Sequence, residues 1–219
     1  MEDIIYRIAT ALPGFLFAIV CHEAAHAWMA KRFGDTTGEQ LGRLSLNPAV
    51  HYDPIGTILF PLIGAVLGGT MFGWAKPVPV DTRRFKNIRS GIFWTSFAGP
   101  LANIILMVLS AILLALIVTK VPADFTYYKI FSDVLRSAVI INVLLAVFNL
   151  IPFPPLDGSK MVTSMLDYNQ ARQYEELQRY SFVFLIILIM TPILQWIMAP
   201  ALMVSDIIVN VFIHIFASI

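Results

Sequence analysis

Ala18-Ile19-Val20-Cys21-His22-Glu23-Ala24-Ala25-His26-Ala27-Trp28-Met29-Ala30 closes an apolar run that begins at Ile8 and whose one Asp, Glu, Lys or Arg is Glu23. As a helix, residues 8–30 rise roughly 35 Å, enough to cross a hydrocarbon core of about 30 Å. Two imidazoles and a carboxylate are costly at that depth, so they are expected to face other protein and to have a job there. His22 and His26 lie four residues apart, on one helical face, and Glu23 is rotated from His22 by about 100°. That spacing lets both imidazoles reach one zinc ion, while the carboxylate stands beside it and handles a water proton. H-E-x-x-H on a helix is a signature of hydrolytic zinc sites.

The rest of the composition agrees with a membrane setting. The 219 residues are 58% hydrophobic and 13% charged, with a mean hydropathy of +0.77. Soluble domains carry about 25% charged residues, so the chain is expected to be an integral membrane protein. A net charge of +1 argues against a nucleic-acid partner. The single cysteine, Cys21, excludes an internal disulfide or a multi-cysteine zinc site and reads as apolar packing within the first helix. The start, Met1-Glu2-Asp3, lacks the basic region of a cleavable signal, so the first span is expected to be retained.

Five apolar stretches stand out: 8–30, 54–75, 91–119, 137–156 and 180–219. The last is long enough for two crossings, with Pro200 as the turn between them. The expectation is an all-α polytopic membrane protein with about five to six transmembrane helices and a re-entrant or extended segment at the cytosolic face. It reads as one membrane-embedded domain, 1–219, with a catalytic core at 8–166 and a C-terminal helical hairpin at 180–219. If the loops 31–53, 76–90 and 157–179 are all cytoplasmic, eleven Lys and Arg residues lie inside and four (Arg7, Lys120, Lys129 and Arg136) outside. That arrangement makes 54–75 enter and leave on one side. Its content (Pro54, Gly56, Pro61, Gly64, Gly68, Gly69, Gly73) suits a broken element better than a straight helix. A fully crossing 54–75 scores nine against six and separates the histidines from their best partner. Trp74 to Val80, with Pro77 and Pro79, reads as extended.

A catalytic zinc usually takes a third protein ligand. Glu39, His51, Asp53, Asp157, Asp206 and His214 are available, and Asp157 is the strongest. It follows Asn149-Leu150-Ile151-Pro152-Phe153-Pro154-Pro155-Leu156, where three prolines break a helix at the membrane edge. In the preferred topology the span before it and the span carrying His26 end on the same side. The competing role for Asp157 is to cap a short helix near 158–166. His51 sits in a turn-rich segment and His214 alone in the last span. Asn149 either donates to an oxyanion or substrate backbone, or satisfies carbonyls freed by the proline break. Asn103, after Gly99-Pro100, reads first as an interhelical hydrogen-bond donor and second as a supporting group for the site.

Five stretches together resemble the site-2 protease family of zinc intramembrane metalloproteases: His22 to Ala27; Gly42-Arg43-Leu44-Ser45-Leu46-Asn47-Pro48 on to Asp53-Pro54-Ile55-Gly56-Thr57; Gly73 to Val80; Ala98-Gly99-Pro100-Leu101-Ala102-Asn103; and Asn149 to Gly158. They occupy most of residues 20–160 in the family's order. The resemblance implies His22, His26 and Asp157 as ligands of one zinc per chain, Glu23 as catalytic acid/base, and a site facing the cytosol. It implies cleavage of transmembrane segments of membrane proteins near the cytosolic face, in a multi-pass protein of a prokaryotic plasma membrane. The expected partners are a transmembrane protein substrate and the lipid bilayer, with a homo-oligomer left open. Many members carry PDZ or CBS domains; no stretch here is long enough for either, so the likeness is to the compact branch. The alternatives are a catalytically inactive relative that only binds membrane proteins, and an ion-handling protein using Asp206 and His214. A prenyl-protein type of protease would need a later glutamate ligand in a span, whereas Glu175 and Glu176 lie in a charged loop.

Overall fold

The computed structural model describes residues 2–66 and 73–219. Its elements are α1 (Glu2–Phe33), the single turns α2 (Thr37–Gln40) and α3 (Pro48–His51), a π-helical turn (Pro54–Leu59) running into α4 (Phe60–Val66), and α5 (Ile88–Lys120). Then come α6 (Tyr128–Leu150), α7 (Asp157–Met165), α8 (Tyr168–Glu175), α9 (Ser181–Met190) and α10 (Ile193–Ala217). No strand occurs among the described residues. Four helices, α1, α5, α6 and α10, are long and apolar enough to cross a bilayer. The chain is a multi-pass membrane protein.

Three of these helices build the frame of the site. Tyr6 donates to Asp133 at 2.6 Å near the start of α1 and α6, so these two helices run together. The end of α1 lies beside the start of α5, where the Lys86 N–H donates to the Phe33 carbonyl at 2.9 Å, so α5 runs the other way. Gly14 permits the α1–α6 crossing: a Cβ there would sit 3.0 Å from the Ala138 Cα, the close approach that small residues allow between membrane helices. Phe15, Ala18, Ile19, Val20, Ala75 and Ile141 form one buried cluster. Met107, Ala111, Val139 and Val143 form a second, covered by Ala201, Leu202 and Phe212 of α10. Many large apolar side chains, such as Phe182, Trp196 and Ile207, remain exposed, as lipid-facing surfaces require.

The 54–75 stretch begins and ends together. Asp53 accepts from the N–H groups of Ile55 and Gly56 and starts the π-helical turn. By Trp74 the chain has returned: its N–H donates to the Gly56 carbonyl at 3.1 Å, and its own carbonyl accepts from the Thr57 hydroxyl at 3.1 Å. The stretch thus leaves and returns at one place, as the re-entrant reading requires; residues 67–72, with Gly68 and Gly69, lie outside the described residues.

The C-terminal stretch differs from expectation. Pro200 lies inside α10, and the break falls at Thr191-Pro192. Thr191 has φ −112° and ψ 161°, the extended backbone that a following proline imposes. A proline within a membrane helix is tolerated where neighbours cover the freed carbonyl. The ten residues of α9 rise only about 15 Å, too little to cross alone. Of the two crossings expected in 180–219, α10 is long enough and α9 is not.

Candidate metal centre

Three acceptor atoms from two distant parts of the chain converge where α1, α5 and α7 meet. His22 Nε2 and His26 Nε2 are 3.0 Å apart, and each lies 3.2 Å from Asp157 Oδ2. All three residues are buried. Among the described residues this is the one group of His, Cys, Asp and Glu side chains arranged to hold a metal ion.

The partners of the outer ring nitrogens define the chemistry. His26 Nδ1 is 2.6 Å from the Thr95 carbonyl, which can only accept. His22 Nδ1 is 2.7 Å from Asn103 Oδ1. Both imidazoles therefore donate through Nδ1, and both Nε2 lone pairs point inward beside a carboxylate. Three acceptors so close together repel one another unless a cation lies between them. Tetrahedral zinc with bonds of about 2.0–2.1 Å places its ligand atoms about 3.3–3.4 Å apart, close to the spacing found here. The donor set fits a zinc ion.

Local sequence explains each placement. On α5, Thr95, Gly99 and Asn103 recur every four residues and form the face against the histidines. Pro100 has no N–H for the Ser96 carbonyl and loosens this turn, next to the Thr95 carbonyl that His26 uses. Gly99 is there for space: a Cβ would lie 2.5 Å from His26 Nε2 and 2.6 Å from His22 Nε2. Asp157 begins α7 but does not cap it; the cap position is Leu156, with no side-chain bond. Gly158 lets α7 start tight against the end of α6, since a Cβ would meet the Leu150 carbonyl oxygen at 2.3 Å. Tyr174 and Ser181 brace the proline turn before Asp157 by donating to the carbonyls of Pro152 and Pro154.

Glu23 stands beside the cluster, its Oε2 accepting from the Val78 N–H at 2.8 Å. Val78 belongs to the 73–81 segment, where from Trp74 to Val78 the N–H of every second residue is used: Trp74 to Gly56, Lys76 to His51, Val78 to Glu23. That alternation is strand-like. The cluster, Glu23 and this segment line a cavity of about 640 Å³, together with Asn149, Lys160 and Leu185. Asn149 donates to the Leu145 carbonyl at 3.0 Å, satisfying its own helix. Lys160 Nζ is 3.5 Å from Asp157 Oδ1.

The other candidates are placed elsewhere. Glu39 pairs with Lys31 at 2.6 Å. His51 is buried, with Nε2 on the Ser45 carbonyl. Asp53 caps the re-entrant element, and Asp206 and His214 are exposed on α10. Thr95 and Gly99 were not singled out by their chemistry; the signal was a Gly-Pro pair in mid-span.

"Peptidase family M50" matches residues 126–191, which hold Asp157 but not the paired histidines. The chain is 33% identical over 207 residues to "Putative zinc metalloprotease YwhC" of Bacillus subtilis, covering 92% of this chain and 91% of that protein. The chain belongs to peptidase family M50, the site-2 protease family. Two further relatives share the name "Putative zinc metalloprotease Rip2". The Mycolicibacterium smegmatis protein is 32% identical over 187 residues, covering 84% of this chain and 68% of the relative. The Mycobacterium tuberculosis protein is 29% identical, with the same coverage. No solved structure matches this M50 chain.

Proposed function

We propose that the protein is a zinc-dependent intramembrane endopeptidase that cleaves transmembrane segments of membrane proteins near the cytosolic face. One observation carries the reading: His22, His26 and Asp157 converge as three inward acceptors within 3.2 Å, with the Glu23 carboxylate lining the same cavity. His22, His26 and Asp157 hold one zinc per chain. When bound, zinc supplies Lewis-acid polarisation of the scissile carbonyl and of the attacking water.

The chain's own groups supply the proton transfers. Glu23 takes the proton of the attacking water and delivers it to the leaving amine nitrogen. The Val78 N–H fixes one carboxylate oxygen and leaves the other for the proton. Asn149 keeps a second amide N–H for the oxyanion or the substrate backbone. A substrate helix must unwind before attack, and the 73–81 segment offers it an extended neighbour. Pro77 and Pro79 lack N–H groups, so the segment has no donor at either position, and the Pro77 carbonyl is held by Arg43. The bias of eleven basic residues against four in the loops supports a site on the cytosolic side.

The test is cleavage of a transmembrane-segment reporter by detergent-purified protein, followed on gels and by mass spectrometry, for wild type and Glu23→Gln. Wild-type cleavage that falls by 10²-fold or more in the variant, with zinc content unchanged, is expected. Equal cleavage by both removes Glu23 from the chemistry. Zinc binding with no cleavage of any membrane segment favours an inactive, membrane-protein-binding relative.

A further inference from the structure

We infer that Asn142, whose amide bonds Ala138 and Asn103 rather than a histidine, sets the tautomer of His22 through Asn103, and that this pair of amides positions the zinc site. The inference rests on the metal-site reading above. Asn103 and Asn142 are buried to 0% and 2% exposure, at the heart of the contact between α1, α5 and α6. Buried amides in such a place are held in one orientation by their partners.

The polarity of the chain of bonds follows from two backbone carbonyls. Asn142 Nδ2 donates to the Ala138 carbonyl at 2.8 Å, and a carbonyl accepts only. The Asn142 amide oxygen must then face Asn103, whose Nδ2 donates to it at 3.0 Å. The same Nδ2 donates to the Ala18 carbonyl at 3.1 Å. Asn103 Oδ1 is thereby turned to His22 Nδ1 at 2.7 Å, which must be the protonated nitrogen. The Nε2 lone pair is left for the metal.

Flipping Asn103 would place an amide N–H against His22 Nδ1, move the imidazole proton to Nε2 and block the ligand atom. It would also set Oδ1 against the Ala18 carbonyl and against Asn142 Oδ1. Asn142 thus makes the wrong tautomer costly from a distance. It also belongs to α6, whose end leads through the proline turn to Asp157 at the start of α7. Partners of metal-binding histidines commonly set ring orientation and metal affinity. Here that control extends one residue further out.

The test uses the detergent-purified full chain as wild type, Asn103→Ala, Asn103→Asp and Asn142→Ala. Zinc affinity is measured by competition with a chromophoric chelator, and the His22 tautomer by long-range proton–nitrogen spectra of the zinc-free protein. A 10–100-fold weaker affinity is expected for Asn103→Ala. A smaller loss of roughly 3–10-fold is expected for Asn142→Ala, with a mixed His22 tautomer. Asn103→Asp should bind more tightly than Asn103→Ala, because a carboxylate still accepts from Nδ1. Variants that lose thermal stability but bind zinc within twofold of wild type would reduce both asparagines to packing and overturn the inference. So would an Nε2-protonated His22 in zinc-free wild type, a result that needs no variant to fold. If wild type takes up no zinc, the metal reading fails, while the tautomer still decides the relay.

Discussion

His22 Nε2 and Asp157 Oδ2 stand 3.2 Å apart although 135 residues separate them in the chain. The contact joins the middle of the first span to the first residue of a short helix beyond the third. It exists only because α1 and α6 run together and the proline turn after Leu150 brings the chain back over the histidines. Replacing Asp157 with alanine should remove one corner of the triangle and leave two imidazoles for the ion. Elemental analysis should find about one zinc per wild-type chain and at least a tenfold weaker hold in Asp157→Ala. Full retention of zinc in the variant would assign the third ligand elsewhere.

Gly99 should tolerate no side chain. A methyl group would arrive 2.5 Å from His26 Nε2 and 2.6 Å from His22 Nε2, and it would push both rings off their common centre. Gly99→Ala should therefore lose most of its zinc while keeping its helical circular-dichroism spectrum. Glycine is otherwise the poorer helix former by about 1 kcal/mol, so normal zinc uptake with higher stability would show that the rings adapt.

Arg43 is buried and donates to the carbonyls of Lys76 and Pro77. This holds the segment whose Val78 N–H binds Glu23. Arg43→Ala should free the segment, cost roughly 1–3 kcal/mol for the carbonyls left unpaired, and speed hydrogen exchange at Lys76 and Val78. Reporter cleavage should fall by about tenfold or more while zinc stays bound, because a misplaced catalytic group loses rate without losing the ion. Unchanged exchange at both amides would show that the segment holds its place without Arg43.

Asp35, just beyond the end of α1, carries a pH dependence of stability. Burial pushes its carboxyl up, but the Thr37 hydroxyl and N–H, the Asp81 N–H and the charge of Arg84 together hold it below the usual range. A carboxylate depressed in the folded state contributes stability that is fully present above its unfolded value, about 3.9. That contribution is lost as pH falls through this value toward the folded one. Thermal unfolding in detergent should thus weaken below about pH 4 in wild type. Asp35→Asn should be less stable at neutral pH and should show a shallower fall on acidification. Parallel curves for the two proteins would remove Asp35 as a source of the slope.

Much of this was legible along the chain. Apolar length depends on local composition, and it marks the four long helices, while the prolines and glycines of 54–75 mark a broken element. The four-residue spacing of His22 and His26 places two imidazoles on one face, because helical geometry is fixed within a turn. The proline break singled out Asp157. The end of the chain was harder: Pro200 and Thr191-Pro192 both signal a turn, and whether a proline breaks a membrane helix depends on what covers the freed carbonyl. Asn149 faced the same ambiguity, and its donation to Leu145 depends on a rotamer that composition cannot specify.

The chain alone determined a membrane setting, a paired-histidine helix and a distant acidic partner, since each follows from spacing or composition within a short stretch. Only the tertiary structure decided that Gly99 leaves room for the imidazoles, that Val78 holds Glu23, and that Asn142 orients Asn103 toward His22. Those three facts are distances between segments far apart in the chain, fixed by where α1, α5 and α6 cross and by where the extended 73–81 segment lies against α1.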